Sequence, residues 1–332
     1  MYSFFAIENL PFCYIIYLPD FYKAVYLYER GGFTLKKIFN EKNIFILCLS
    51  AILALVLYII SDQYIIVTSE YTVKSDKITN GFKIAVISDL HNMDFGGSNK
   101  AVLDKISEGK PDIIAVVGDI IDESDTDITP ALNVMNNLPS IAPTYYVAGN
   151  HDRLCPLYES FKQSIMASGV SYLRTIDYGE TFISRAERKI IINGDRVALL
   201  GLHNYSTGEA EDKHYTRIMR DFCRKKCFKI LLCHYPEYTT WFFEQDKYYK
   251  YNFDLMLSGH THGGVINIPF IGGIIAPNQG LFPEYCKGLY YIDKGNENPY
   301  NMIITGGLGE DRRFMRVNNF PEITFVNVVP DK

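Results

Sequence analysis

Five short segments of this sequence carry Asp, Asn and His in patterns that suit divalent metal ions. They are Asp89-Leu-His91, Gly118-Asp119-Ile-Ile-Asp122, Gly149-Asn150-His151-Asp152, the lone His234, and Gly259-His260-Thr-His262. Each follows an apolar run of strand type: FKIAVIS, DIIAVV, TYYVA, KILLC and DLMLS in turn. Taken singly, each has a bland reading. Asp119 after a glycine can close a turn, Asn150 can cap a helix, and His234 can be a hydrogen-bonded core residue. The joint pattern says more, because five of the seven histidines in the chain fall in these segments. Carboxylate, imidazole and amide groups gathered in one place bind cations such as Mn, Fe and Zn, whose charge activates water for hydrolysis.

Such ligands need elements that bring them together. From Phe82 the chain alternates short β-branched runs with stretches of helical length: FKIAVIS, Asn99 to Glu108, DIIAVVG, Ile128 to Leu138, TYYVAG. That alternation predicts βαβ units and a mainly parallel sheet, with the ligands at the carboxyl ends of its strands. Further apolar runs at 189–192, 196–201, 229–233, 253–257, 288–292, 302–305 and 323–329 are too many for one open sheet. A sandwich of two sheets flanked by helices accommodates them in a single domain. No repeat or low-complexity linker interrupts it.

Bulk properties set limits. The chain has 332 residues, 48% of them hydrophobic, enough for a sizeable core. Its 33 basic and 38 acidic residues give a net charge of -5, which makes long nucleic acid a poor partner. A phosphate ligand would be drawn by bound cations rather than by surface Lys and Arg. The seven cysteines (Cys13, Cys48, Cys155, Cys223, Cys227, Cys233, Cys286) lack repeated C-x-x-C spacing, so they read as core thiols. Cys223 and Cys227 have the spacing to meet on one helix face. His203 and His214 lie outside every motif and read as ordinary surface or core residues, although His203, Asn204 and Tyr205 follow the run VALLGL and have the position to approach a cleft.

Residues 43–60, NIFILCLSAILALVLYII, contain no charge, Pro or Gly, and reach the roughly 18 residues that a membrane span requires. Arg30, Lys36, Lys37 and Lys42 precede the run, and only Lys74 and Lys77 occur in the twenty residues after it. The positive-inside rule puts the N-terminus in the cytoplasm and everything from Ser61 outside. No A-x-A motif follows, which favours a retained anchor over a removed signal. The layout would also be ordinary if translation began near Leu35, which mass spectrometry of the native N-terminus tests. The expected division is a cytoplasmic segment at 1–42, an anchor at 43–61, a linker at 62–81 and a catalytic domain at 82–332. Five cysteines beyond the anchor fit an oxidising exterior poorly.

The ordered set D-x-H, G-D-x-x-D, G-N-H-D, lone H and G-H-x-H resembles the signature of the calcineurin-like metallophosphoesterase superfamily, over residues 82 to 329. GHTHGGVINIPFIGG and the tail ITGGLGEDRRFMRVNNFPEITFVNV are similar to the closing segments of the membrane-associated bacterial phosphoesterases of the YkuE and YaeI type. The resemblance implies a four-layer α/β/β/α sandwich, here preceded by one transmembrane helix, with two divalent metal ions at its centre. It implies that Asp89, His91 and His262 hold one ion, Asn150, His234 and His260 the other, and that Asp119 bridges both. His151 would protonate the leaving oxygen or stabilise the phosphoryl oxygens, with Asp152 orienting it. Asp122 is expected behind a ligand, hydrogen-bonding it or fixing its loop. Arg312, Arg313 and Arg316 are expected either to clamp an anion or to lie on a solvated face.

The expected activity is hydrolysis of a phosphomonoester or phosphodiester, including a lipid or cell-envelope phosphate kept close by the anchor. A nuclease or cyclic-nucleotide phosphodiesterase on the same metal core is a second reading. A catalytically silent, membrane-bound metal-binding module is a third.

Overall fold

A computed structural model of the chain describes residues 41–173, 187–202, 218–240, 251–293, 298–311 and 314–331. The N-terminal segment 1–40, His203, Asn204, Tyr205, His214, Arg312 and Arg313 lie outside the described residues. The chain divides into two compact units, Met1–Leu57 and Tyr58–Lys332. In the first, the described residues belong to helix α1 (Glu41–Ser61), which continues into the start of the second. Within it, Lys42–Ser61 is long and apolar enough to cross a membrane: its 20 residues span about 30 Å at the usual helical rise.

In the second unit the strands are β1 (Val67–Ser75), β2 (Phe82–Ile87), β3 (Ile113–Val117), β4 (Thr144–Val147), β5 (Ser171–Tyr172), β6 (Glu187–Ile192), β7 (Asp195–Leu202), β8 (Phe228–Cys233) and β9 (Leu255–Ser258). Then follow the two-residue strands β10 (Asn267–Ile268), β11 (Gly272–Gly273), β12 (Ile275–Ala276) and β13 (Gly280–Leu281), and finally β14 (Gly288–Ile292), β15 (Tyr300–Ile304) and β16 (Glu322–Pro330). The helices are α2 (Lys100–Glu108), α3 (Thr129–Met135), α4 (Asn150–Leu154) and α5 (Tyr158–Ala167), with α6 at 218–223.

Two six-stranded sheets form among the described residues, ordered β1-β16-β2-β3-β4-β5 and β14-β15-β9-β8-β7-β6. In the first, β2 to β5 run parallel and β16 lies antiparallel to β2; in the second, β7, β8, β9 and β15 run parallel. Side-chain alternation gives each sheet two buried faces. On β2, Ala85 and Ile87 join Val102 and Ile106 of α2, while Ile84 and Val86 turn the other way to meet Ile230 and Leu232 of β8. Leu231 and Cys233 face a third cluster, with Met219 and Phe222 of α6. Helices, sheet, sheet and helix are thus separated by three apolar layers, the four-layer α/β/β/α sandwich that the motif pattern implied. Both sheets are buried on two sides, which is why their central strands are continuous apolar runs rather than alternating ones.

One expectation is corrected. Residues 62–81 are not a linker, because Val67 to Ser75 form β1, paired in parallel with Glu322 to Pro330. Its sequence, VTSEYTVKS, carries Glu70, Lys74 and polar hydroxyls because an edge strand keeps one face in solvent, and that polarity hid it. The strands β10 to β13 also escaped notice, since two-residue strands carry no alternating pattern of their own. Among the described residues no disulfide forms, and Cys155, Cys223 and Cys233 lie in the core.

Candidate metal centre

Strands β2, β3 and β4 are neighbours in one sheet and β8 and β9 are neighbours in the other, so all five motif segments leave their sheets at the same edge. Turning the side chains inward requires unusual backbone. Asp89 (φ 49°), His91 (43°), Asp119 (53°), His260 (70°) and His262 (50°) all adopt left-handed φ values. Such a conformation costs on the order of 1–3 kcal/mol for a non-glycine residue and is kept where function requires it. Asp and His tolerate it better than most residues.

The side chains form three buried groups, each with its donor atoms within 4.8 Å: Asp89, His91 and His262; Asp119, His234 and His260; and His91, Asp122 and His151. Asp119, of the second group, also approaches the first. Its Oδ2 is 3.0 Å from His234 Nε2 and 3.9 Å from His91 Nε2. Its Oδ1 accepts the backbone N–H of His151 at 2.8 Å. Asn150 lines the same cavity, of about 470 Å³, alongside Asp119, His151, His260 and His262.

The far side of each imidazole is held by the protein. His234 Nδ1 meets the carbonyl of Val117 at 2.8 Å, which directs Nε2 toward Asp119. His91 Nδ1 lies 3.2 Å from Asp122 Oδ2, His262 Nδ1 lies 2.9 Å from Glu310 Oε1, and His260 Nε2 meets Asn278 Nδ2 at 2.7 Å. This pattern, one ring nitrogen fixed by a carboxylate, carbonyl or amide and the other left toward a common centre, is typical of metal-binding histidines. The residues therefore fit a divalent cation. His91 Nε2, Asp119 Oδ2, Asn150 Oδ1 and His234 Nε2 are all buried and without a hydrogen bond of acceptable geometry. Buried polar groups ordinarily find partners, and Asp119 Oδ2, 3.0 Å from His234 Nε2 and 3.9 Å from His91 Nε2, brings three of these atoms to where bound cations would satisfy them.

The electrostatics agree. Burial would raise the Asp119 carboxyl, but His234, then His91 and His151, hold it well below the usual carboxylate range. Burial opposes the charge on His234, yet Asp119 and Asp89 lift its pKa to about 10. For His262, burial is likewise outweighed by Glu310 and Asp89, and the value rises to about 9. His260 is pushed well below the ordinary histidine value, first by burial and then by the charge of His234. Asp122 is lowered first by its bond to His91 and then, against burial, by the Ser124 hydroxyl and N–H.

Two expectations are corrected. Asp152 does not orient His151. Its carboxylate is fully buried and accepts the backbone N–H groups of Asp119, Ile120, Ile121 and Gly149 at 2.8 to 3.0 Å, so it builds the loop that carries Asp119. The carboxylate beside His151 Nδ1 is that of Asp122, at 3.3 Å. Arg316 neither clamps an anion nor lies on a solvated face. It is buried, donates to the carbonyl of Gly309 through Nε (3.2 Å) and Nη2 (2.5 Å), and lies 3.5 Å from Glu310.

Several residues escaped sequence reasoning. Ser88 Oγ donates to Asp89 Oδ2. Glu310 holds His262 and Asp311 approaches His151 Nε2 at 3.8 Å. Both acids follow β15, the parallel neighbour of β9, so the rule about strand carboxyl ends applied to GGLGED would have flagged them. Asn278 had no signal, since it reaches His260 from a hairpin turn 18 residues further on.

The profile of the calcineurin-like phosphoesterase family, whose members use divalent metal ions, matches residues 82–264. The chain is 32% identical over 275 residues to the protein named uncharacterized metallophosphoesterase YkuE of Bacillus subtilis, covering 79% of this chain and 85% of that one. It is 26% identical to phosphodiesterase YaeI of Escherichia coli, over 75% of this chain and 82% of the relative. A transmembrane protein with metallophosphoesterase domain from Danio rerio is 25% identical over 74% of this chain, which spans about half (52%) of that relative. With the ligand-bearing loops at the edge of the sandwich matched by that profile, the chain belongs to the calcineurin-like phosphoesterase family.

Proposed function

We propose that this protein is a membrane-anchored phosphoesterase that hydrolyses a phosphomonoester or phosphodiester with two divalent cations. Asp89, His91 and His262 would hold one, Asn150, His234 and His260 the other, and Asp119 would lie between them. When bound, the pair supplies positive charge that activates water and neutralises phosphoryl oxygens. His234 and His91 are kept in the required tautomer by Val117 and Asp122. With Nδ1 facing Asp122, His151 presents Nε2 to the cleft, where it donates a proton to the departing oxygen. Residues 43–61 serve as the anchor, with the N-terminus cytoplasmic and the sandwich, from β1 onward, outside.

The observation that carries this reading is that His91 Nε2, Asp119 Oδ2 and His234 Nε2 are buried without a hydrogen bond of acceptable geometry and face one another, Asp119 Oδ2 lying 3.0 Å from His234 Nε2 and 3.9 Å from His91 Nε2. The described lining of the cleft includes the apolar side chains of Val265, Ile275, Pro277 and Phe314, which suit a small or amphiphilic ester.

The test uses full-length protein in detergent, stripped of metal and reloaded with Mn, Fe or Zn, and assayed on bis-p-nitrophenyl phosphate and p-nitrophenyl phosphate. Turnover that depends on metal, lost together with bound metal in Asp119→Ala, is the expected result. Metal bound without turnover on either ester would leave only a binding module. Full turnover in Asp119→Ala would refute the mechanism.

A further inference from the structure

We infer that the hairpin pair following the last histidine motif is a lip that enters the interfacial layer of a lipid bilayer, so that the cleft opens toward phosphate esters carried by membrane lipids. This deepens the proposed function and rests on its anchor.

Between Val265 and Phe282 the chain has no charged residue. It folds as two short hairpins, β10–β11 and β12–β13, joined edge to edge through Ile274, which donates to Ile266 and accepts from Phe282. Apolar side chains at and beside their ends point into solvent. Phe270 is fully exposed at its turn, and Phe282 (70%), Leu281 (67%) and Ile271 (63%) are nearly so. Met315, next to Phe314 of the cleft wall, is 55% exposed. Several exposed apolar side chains on neighbouring hairpins of a folded domain mark an interaction site. The same hairpins form part of the cleft: Ile275, Pro277 and Asn278 line it, and Asn278 bonds His260. Whatever covers the lip therefore lies at the mouth of the metal centre.

The occupant is indicated by what the lip is tied to. The helix that can span a membrane ends at Ser61, and residues at and just after its end are hydrogen-bonded to Arg316 and Asn318, the latter in turn bonded to the start of the hairpins. Tyr58 Oη donates to Asn318 Oδ1 at 2.7 Å, and Asn318 Nδ2 donates in turn to the carbonyl of Asn267, the first residue of β10. Asp62 accepts from the backbone N–H of Asn318, and the Gln63 side chain makes two bonds to the backbone of Arg316. The end of a span lies at headgroup level, where Tyr side chains concentrate, and Tyr58 and Tyr64 stand there. Asp62 and Gln63 directly follow the span in sequence and belong to the same compact unit as the hairpins, so the hairpins are tied to the membrane-proximal end of that unit. Entry stops at the interface, because deeper hairpins would expose unpaired backbone groups to hydrocarbon.

The test places a single tryptophan. In a Trp241→Phe background, Phe270→Trp and, as a control on the outer strand of the second sheet, Ile191→Trp are introduced into the full-length chain and reconstituted in vesicles of phosphatidylethanolamine and phosphatidylglycerol. Phosphatidylcholine brominated along its acyl chains is the quencher. The expected result is strong loss of emission at position 270 and none at 191, with Phe282→Trp substituting if the first variant fails to fold. A vesicle-bound protein whose tryptophan at 270 is open to aqueous acrylamide and untouched by brominated lipid overturns the lip and leaves the anchor intact. Shielding from both quenchers overturns it in favour of a protein cover, a second copy included. Failure to float with vesicles overturns the anchor and the lip together, and turnover of the soluble esters judges the phosphoesterase reading separately.

Discussion

The buried carboxylate of Asp152 accepts the backbone N–H of Asp119 at 2.8 Å, and the Asp119 side chain takes its direction from that bond. Oδ1 of Asp152 serves Ile120 and Ile121, and Oδ2 serves Asp119 and Gly149. In Asp152→Asn, whichever way the amide turns, an NH2 group faces two backbone donors. Each buried donor left unsatisfied costs about 1–3 kcal/mol, so the variant is expected to lose about 2–5 kcal/mol of stability. Denaturant midpoints of the full chain in detergent check this. Since Asp152 does not touch His151, any variant that folds should keep the pH profile of the wild type, and a shifted acidic limb would restore the dyad.

Gly149 is constrained by the same loop. A methyl group there would overlap Asp119 Oδ1 and stand 2.6 Å from the Asp119 backbone nitrogen. Neither neighbour is the end of a flexible chain, so relief means moving Asp119 itself. Gly149→Ala is expected to cost about 1–3 kcal/mol, as overpacking does, and to weaken metal binding. Metal titration of the purified variant measures this, and wild-type affinity would show that the loop yields easily.

In the proposed mechanism His151 acts on the leaving group rather than holding an ion, with Asp122 and Asp311 beside its two ring nitrogens. His151→Gln is expected to retain bound metal and to lower kcat by about 10²–10⁴, the range for loss of a general acid. The loss should shrink for esters whose leaving group needs no proton, such as p-nitrophenol, and grow for alkyl esters. Loss of metal with loss of activity would make His151 a ligand instead.

The sequence conveyed the residues that gather at the centre because they sit at strand ends, where a run such as KILLC stops abruptly at His234. The core strands were legible for a related reason: burial on both faces leaves unbroken apolar runs. What was missed has polar or distant causes. β1 is an edge strand whose Glu70 and Lys74 looked like linker, and Glu310 and Asn278 reach the centre from segments whose proximity depends on tertiary folding. Asp152 illustrates a different limit. A carboxylate one residue from a candidate catalytic histidine looks like its partner, yet α4 turns adjacent side chains apart, and Asp152 points back into the loop while His151 faces the cleft.

Protons and metal should compete at His234 and His262, whose pKa values are raised to about 10 and about 9. Both exceed the unfolded histidine value of about 6.5. In metal-free protein these two groups therefore add stability that is complete below about pH 6.5 and is lost as pH rises through about 9 to 10. His260, whose pKa is depressed, acts only below that window. Metal reverses the slope, because ligating imidazoles must be neutral, so affinity should climb over the range in which the metal-free protein weakens. Two measurements check this on the full chain in detergent. The melting temperature of chelator-stripped protein should fall between about pH 6.5 and 10 and fall less when Mn is bound. Calorimetric titration with Mn near about pH 7.5, in buffers of different ionisation enthalpy, should show net proton release. A flat melting profile together with no proton release would mean that neither imidazole is where the metal binds.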